Sequence, residues 1–152
     1  IKTNCQFSKI GESTFNGCWS LKEITIPSSV SSIGSFAFFS CKLLKEITIP
    51  SSVVSIDSNA FNFCTSLSKI TFIDNSSSRS KLRSIGEYAF ERCSALTEIK
   101  IPSSVKNIGQ NAFYACLSLK QLTVPYCIDI KKIGITANIR VIRVVDNQIR
   151  IF

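Results

Sequence analysis

The chain has 152 residues, 45% of them hydrophobic, which suits a single domain whose segments share one core. No apolar run approaches the ~20 residues that cross a bilayer, so no membrane-spanning helix is expected. Lys and Arg number 18 against 10 Asp and Glu, a formal +8, but they are scattered without a recognition helix or aromatic RNA-binding motif; the excess reads as solubility rather than specific nucleic-acid binding.

Opening on Ile1, with no Met anywhere and no charged-then-apolar leader, the chain reads as a piece of a longer protein. From there it repeats itself. Ile10-Gly11, Thr14-Phe15 and Cys18 lead into Leu21-Lys22-Glu23-Ile24-Thr25-Ile26-Pro27-Ser28-Ser29-Val30. The next copy runs through Ile33-Gly34, Ala37-Phe38 and Cys41 to Leu44-Lys45-Glu46-Ile47-Thr48-Ile49-Pro50-Ser51-Ser52-Val53, 23 residues on. Ile56-Asp57, Ala60-Phe61 and Cys64 precede Leu67 to Phe72; Ile85-Gly86, Ala89-Phe90 and Cys93 precede Leu96 to Val105. Ile108-Gly109, Ala112-Phe113 and Cys116 precede Leu119 to Pro125.

Strand centres align at Ile1, Ile24, Ile47, Ile70, Ile99, Leu122 and Ile142, in steps of 23, 23, 23, 29, 23 and 20. A fixed period of this length marks a stack of about six to seven coils in a single domain over 1–152. The long step holds a polar insertion at 73–81, expected as a solvated loop. Residues 126–152 lack the Ala-Phe and Cys signature and form an atypical terminal repeat or cap, with Val145 to Gln148 turning into Ile149-x-Ile151.

Within each copy, Leu-x-x-Ile-x-Ile alternates like a half-buried strand, and one short strand needs its neighbours to bury its inner face. Pro27, Pro50, Pro102 and Pro125 are expected to end the strands, since proline lacks the amide hydrogen of the next ladder bond. The glycine after Ile33 and its equivalents is expected to supply an unusual backbone angle. Ala-Phe-x-x-Cys predicts one helical or 3₁₀ turn that points Phe and Cys inward, making a spine of Phe15, Phe38, Phe61, Phe90 and Phe113.

These spaced positions, kept through five copies, resemble the BspA-like class of leucine-rich repeat. The resemblance implies an α/β solenoid, a right-handed coil with short parallel concave strands and mostly irregular, 3₁₀ or short-helical convex segments. It also implies a place among surface proteins that attach to host or matrix partners, hence a cell-surface or secreted location. The alternative is an intracellular assembly.

If Ile24 and Ile26 face inward, two outward columns follow. One is Glu23, Glu46, Lys69, Glu98, Gln121 and Val141; the other is Thr25, Thr48, Thr71, Lys100, Thr123 and Arg143. Together they are the candidate concave site for a protein or glycan ligand, against the plainer reading of a solvated β surface. A second candidate is convex: Phe36, Phe39, Phe63, Tyr88 and Tyr114 contact a partner if exposed, or pack between turns if not. If they do contact a partner, the chain is a structural scaffold subunit of a larger assembly.

Cys18, Cys41, Cys64, Cys93 and Cys116 share one repeat position, so a buried thiol column is expected rather than disulfides. Cys5 and Cys127 fall outside it as the more reactive thiols. With no histidine and no Cys-x-x-Cys pair, no metal or other cofactor is expected. The chain reads as non-enzymatic; the Glu23 and Glu46 pair has Lys22, Lys45 and Lys69 nearby. Asn75-Ser76-Ser77 fits an N-glycosylation acceptor, a pattern common by chance.

Overall fold

The computed structural model describes residues 7–136, 138–145 and 148–151; the expected strand at Ile1, Cys5 and the middle of the last turn lie outside them. Eleven strands are described. In chain order they are β1 (Lys9–Ile10), β2 (Ser32–Ile33), β3 (Glu46–Ile49), β4 (Ser55–Ile56), β5 (Lys69–Phe72), β6 (Ser84–Ile85), β7 (Glu98–Lys100), β8 (Asn107–Ile108), β9 (Gln121–Pro125), β10 (Arg140–Val145) and β11 (Gln148–Ile151). The result is a parallel β-solenoid. The coils from β2 to β9 each contribute a longer strand to one face and a two-residue strand to a narrow second sheet, ordered β1-β2-β4-β6-β8. The two are joined by a turn segment.

Register follows the repeat. Glu46 pairs with Lys69, Ile47 with Ile70 and Thr48 with Thr71, so like positions stand over like positions. In β3 the pattern exposed, buried, exposed, buried is the alternation expected from Glu46-Ile47-Thr48-Ile49. The core is one continuous column of Leu44, Leu67, Leu96 and Leu119 with the isoleucines, Val53, Val105 and the alanines of the turn segments. Phe15, Phe38, Phe61, Phe90 and Phe113 stack at centroid spacings of 5.1, 5.0, 5.4 and 5.6 Å with planes within 15° of parallel.

Where the turn segments were expected to contain a helical or 3₁₀ turn, the described residues contain no helix, and the α in the expected α/β class is withdrawn. Hydrogen bonding between coils explains the difference. Phe36, Phe38 and Ser40 N–H donate to the carbonyls of Ser58, Ala60 and Asn62 of the next coil, and Asn59, Phe61 and Phe63 N–H to those of Glu87, Ala89 and Glu91. A helix would turn those amides back along its own axis.

Instead, two residues per coil take the left-handed conformation: Ser13 and Gly17, Phe36 and Ser40, Asn59 and Phe63, Tyr88 and Arg92, Asn111 and Ala115. A non-glycine residue there costs roughly 1–2 kcal/mol, and the flanking inter-coil bonds hold it in place.

The repeat glycine also works differently from expectation. Gly34, Gly86 and Gly109 are absent from the positive-φ set; a Cβ at Gly86 would lie 2.4 Å from Ser58 N, and one at Gly109 2.4 Å from Glu87 N. Glycine is there because the coil below is that close, although Asp57 is accommodated at the same position of its own coil. Pro125 likewise departs from the strand-ending role, sitting inside β9 opposite Val144.

The terminal coil slips by one residue. Val141 pairs with Leu122, Ile142 with Thr123 and Arg143 with Val124, so the last step is 19 residues rather than 20. One residue of slip exchanges the two faces of a strand. Arg140 and Ile142 therefore end the outward columns, in place of Val141 and Arg143. Arg143 Nη1 instead donates to the carbonyls of Pro125, Tyr126 and Ile128 at 3.4, 3.1 and 2.6 Å. Beyond it β11 pairs antiparallel with β10, unlike the other described strand pairs.

Two substitutions test this packing. Phe61→Ala is expected to lower stability by about 3–5 kcal/mol in urea unfolding followed by circular dichroism. Gly86→Ala is expected to cost about 1–3 kcal/mol through backbone crowding, whereas Gly11→Ala, whose added Cβ would meet Thr14 Oγ1 at 3.4 Å, is expected to be milder.

Candidate functional site

The longer strands present Glu46, Lys69, Glu98, Gln121 and Arg140 in one column and Thr48, Thr71, Lys100, Thr123 and Ile142 in the next, and the 21–26 segment carries the equivalent Glu23 and Thr25. Most of these side chains are exposed, Gln121 and Ile142 are half-buried, and Thr123 is buried at 9%. Lys69 Nζ reaches Glu46 Oε2 at 3.9 Å with both side chains about two-thirds open (64% and 68%), an ion pair worth no more than ~1 kcal/mol. Glu23, Glu98 and Lys100 have no ion-pair partner within 4.0 Å among the described residues. Their charges remain available to a ligand.

This face is not one unbroken sheet. Strand β3 pairs with β5, and β7 pairs with β9, which pairs in turn with β10, but no ladder joins β5 to β7. The 73–81 insertion lies between those two coils. Leu21 to Ile26 likewise forms no ladder with β3 among the described residues.

A shallow cleft opens at each interruption. One, of about 480 Å³, lies between Lys69, Thr71, Glu98, Lys100 and Gln121; the other, of about 410 Å³, between Lys22, Glu23, Lys45, Glu46 and Thr48. Both mix cations, carboxylates and hydroxyls over buried or half-buried isoleucines, a lining that suits polar recognition with charge complementarity.

A third cleft, of about 420 Å³, was not anticipated from the columns. It lies between the inserted loop, through Asp74 and Arg79, and Lys100, Thr123, Ile142 and Val144. The slip in β10 hid Ile142 and Val144, and nothing in the loop's polar composition told which way it leans.

The turn-face aromatics are mostly occupied with one another. Phe36 and Phe39, then Phe39 and Phe63, lie at 5.6 Å with tilted planes, and Arg92 covers Phe63 at 4.8 Å. Tyr88 is half-buried, its hydroxyl accepting from Asn111 Nδ2 at 3.5 Å; Tyr114 alone of this set is open, at 51%.

Inside, the thiols form the expected column and are free. Cys41, Cys64, Cys93 and Cys116 donate to the carbonyls of Phe15, Phe38, Phe61 and Phe90 of the preceding coil at 3.1–3.3 Å. Burial, followed by the neighbouring thiol, pushes Cys41 up from 9.0 to about 11; burial pushes Cys116 up to about 12, and Cys64 and Cys93 well above the ordinary range. Among the described residues no three His, Cys, Asp or Glu side chains converge as metal ligands, and no helix is long and apolar enough to cross a membrane.

Residues 1–81 and 73–143 match the BspA type leucine rich repeat region, in six copies. The chain belongs to this family. Membership suggests a protein-interaction module. Among solved structures, the BspA-type chain is similar to the T. pallidum leucine rich repeat protein TpLRR, with a TM-score of 0.71 and 35% identity over 76% of this chain and 51% of that one.

A leucine-rich repeat protein from Bacteroides capillosus ATCC 29799 gives a TM-score of 0.50 and 28% identity over 72% and 73%. One from Eubacterium ventriosum ATCC 27560 shares the fold, with a TM-score of 0.67 and 24% identity over 93% and 37%. The chain thus spans about half the length of TpLRR. No match is found among curated proteins.

The thiol column makes a reactivity and pH prediction. Exposed Cys127 is expected to react promptly with a thiol reagent, and the buried Cys41, Cys64, Cys93 and Cys116 only on unfolding. A thiol whose folded pKa is raised holds its proton longer than in the unfolded chain, so its stabilising contribution is complete below 9.0 and falls as pH rises toward about 11 for Cys41. Urea midpoints measured across that window are expected to decline, and less steeply in Cys41→Ala.

Proposed function

We propose that the chain is a non-enzymatic binding module that recognises a protein or glycan partner, at a cell surface or after secretion, through the face carrying the longer strands. The observation that carries this reading is the set of outward charges with no internal partner, Glu23, Glu98 and Lys100, set beside clefts where the strand ladder is interrupted. Charges without an internal partner give up no existing ion pair when a ligand docks. They also steer encounter.

Support for this face over the turn face comes from the aromatics, since Phe36, Phe39 and Phe63 already contact one another. Of the five turn-face aromatics, Tyr114 alone is open to a scaffold partner.

The test is a binding array of immobilised matrix proteins and glycans probed with the folded chain. The triple variant Thr48→Ala, Lys69→Glu, Lys100→Glu is expected to keep its circular dichroism spectrum and lose the bound signal by at least about tenfold. Undiminished binding by that variant removes the strand face as the site.

A further inference from the structure

The cleft beside the inserted loop differs from the rest of the strand face. The second outward column is hydroxyl or charged from Thr25 through Thr123, then becomes apolar at Ile142, and Val144 lies on the same side of β10. Ile101 and Pro102 border the same cleft but are buried, so Ile142 and Val144 are its partly open apolar side chains, beside Lys100 and Arg79. Asp74, 3.8 Å from Arg79, is its carboxylate; Lys100 has no ion-pair partner among the described residues.

The loop that bounds the cleft is built to hold its shape. Asn75 Oδ1 accepts from Ser77 N–H and Ser78 N–H at 3.0 and 2.9 Å, closing its tip. Asp74 Oδ1 accepts from Ser80 N–H at 3.2 Å across its base. Ser51 of the preceding coil ties it down twice, through the 2.5 Å contact between its hydroxyl and that of Ser78 and through its carbonyl, which accepts from Lys81 N–H at 2.9 Å. A wall ordered in advance loses little entropy when a ligand arrives.

Charge points the same way. Twelve of the 18 basic residues but only six of the 10 acidic ones follow residue 72, so this half of the chain carries +6 of the net +8.

We propose that this cleft docks an acidic, apolar segment of the protein partner. A Glu or Asp carboxylate of the partner meets Lys100, with Arg79 alongside, while a neighbouring leucine-like side chain covers Ile142 and Val144. A sulfated glycan satisfies the cations but leaves the apolar floor bare, and a simple anion does the same. The proposal rests on the strand-face reading above and narrows it to one subsite and one ligand chemistry.

The probe is a fluorescent heptapeptide alternating leucine with glutamate, titrated against the folded chain by polarisation. Its lysine counterpart and a sulfated oligosaccharide serve as competitors. The expected result is saturable binding that weakens by roughly tenfold in Arg79→Glu and in Lys100→Glu. Binding is also expected to weaken between about 0.05 and about 0.5 M salt.

Neither cation is buried, so folding of those variants is not at stake; Ile142→Ser, checked by circular dichroism, is expected to weaken the peptide but leave any oligosaccharide binding unchanged. Peptide binding that is absent, or indifferent to all three substitutions, overturns the proposal, as does an oligosaccharide that displaces the peptide at equal or lower concentration. Should the partner found on the array be lost in the triple variant yet bind Arg79→Glu and Ile142→Ser normally, the strand-face reading stands and this subsite falls.

Discussion

Hydrogen bonding from each coil to the next, at an offset of one repeat, is the interaction on which the rest of the structure depends. On the turn face three amides in each of the first four coils, and two in the fifth, donate forward to the following coil, while on the narrow sheet Gly34, Asp57, Gly86 and Gly109 donate back to the preceding one. These bonds satisfy buried backbone groups that a lone coil leaves open. They draw the coils close enough that a Cβ at Gly86 has no room, they hold Phe36 and Tyr88 in left-handed conformations, and they bring the phenylalanine rings into a spine near 5 Å spacing. The thiol column joins the same scheme, each sulfur giving its hydrogen to a carbonyl one coil back.

Stacking by a constant offset makes a surface of columns, and function of this kind is expected where the columns are interrupted. Two irregularities matter. The six extra residues near 73–81 occur where β5 and β7 share no ladder and supply a wall beside the strand face. The shortened last step turns Arg143 toward three backbone carbonyls and turns Ile142 out. An array of identical coils presents a nearly uniform polar face, whereas these departures create an amphiphilic pocket at one place along it.

Most of the fold was legible in the letters because equivalent positions recur. Leu44-Lys45-Glu46-Ile47-Thr48-Ile49 carries its own alternation, and a second copy 23 residues on specifies both register and parallel pairing. The phenylalanine and cysteine columns follow by the same reasoning. The turn segments were less legible: Ala-Phe-x-x-Cys has a spacing compatible with a helical turn, and nothing local states that its amides are needed by the next coil. Phe36 and Tyr88, bulky residues that resist positive φ on their own, gave no hint that the stack holds them there.

By itself, then, the sequence determined the period, the inward residues of each coil and hence the outward columns through Thr123, since side-chain alternation and exact recurrence are properties of the chain alone. Only the tertiary structure decided the pairing of Ile142 with Thr123, the side toward which the 73–81 loop leans, and the use of Phe36, Phe39 and Phe63 for mutual packing. The reason is physical: where the repeat lapses, a residue's orientation is set by its hydrogen bonds and contacts with other coils, and those partners are 15 to 29 positions away.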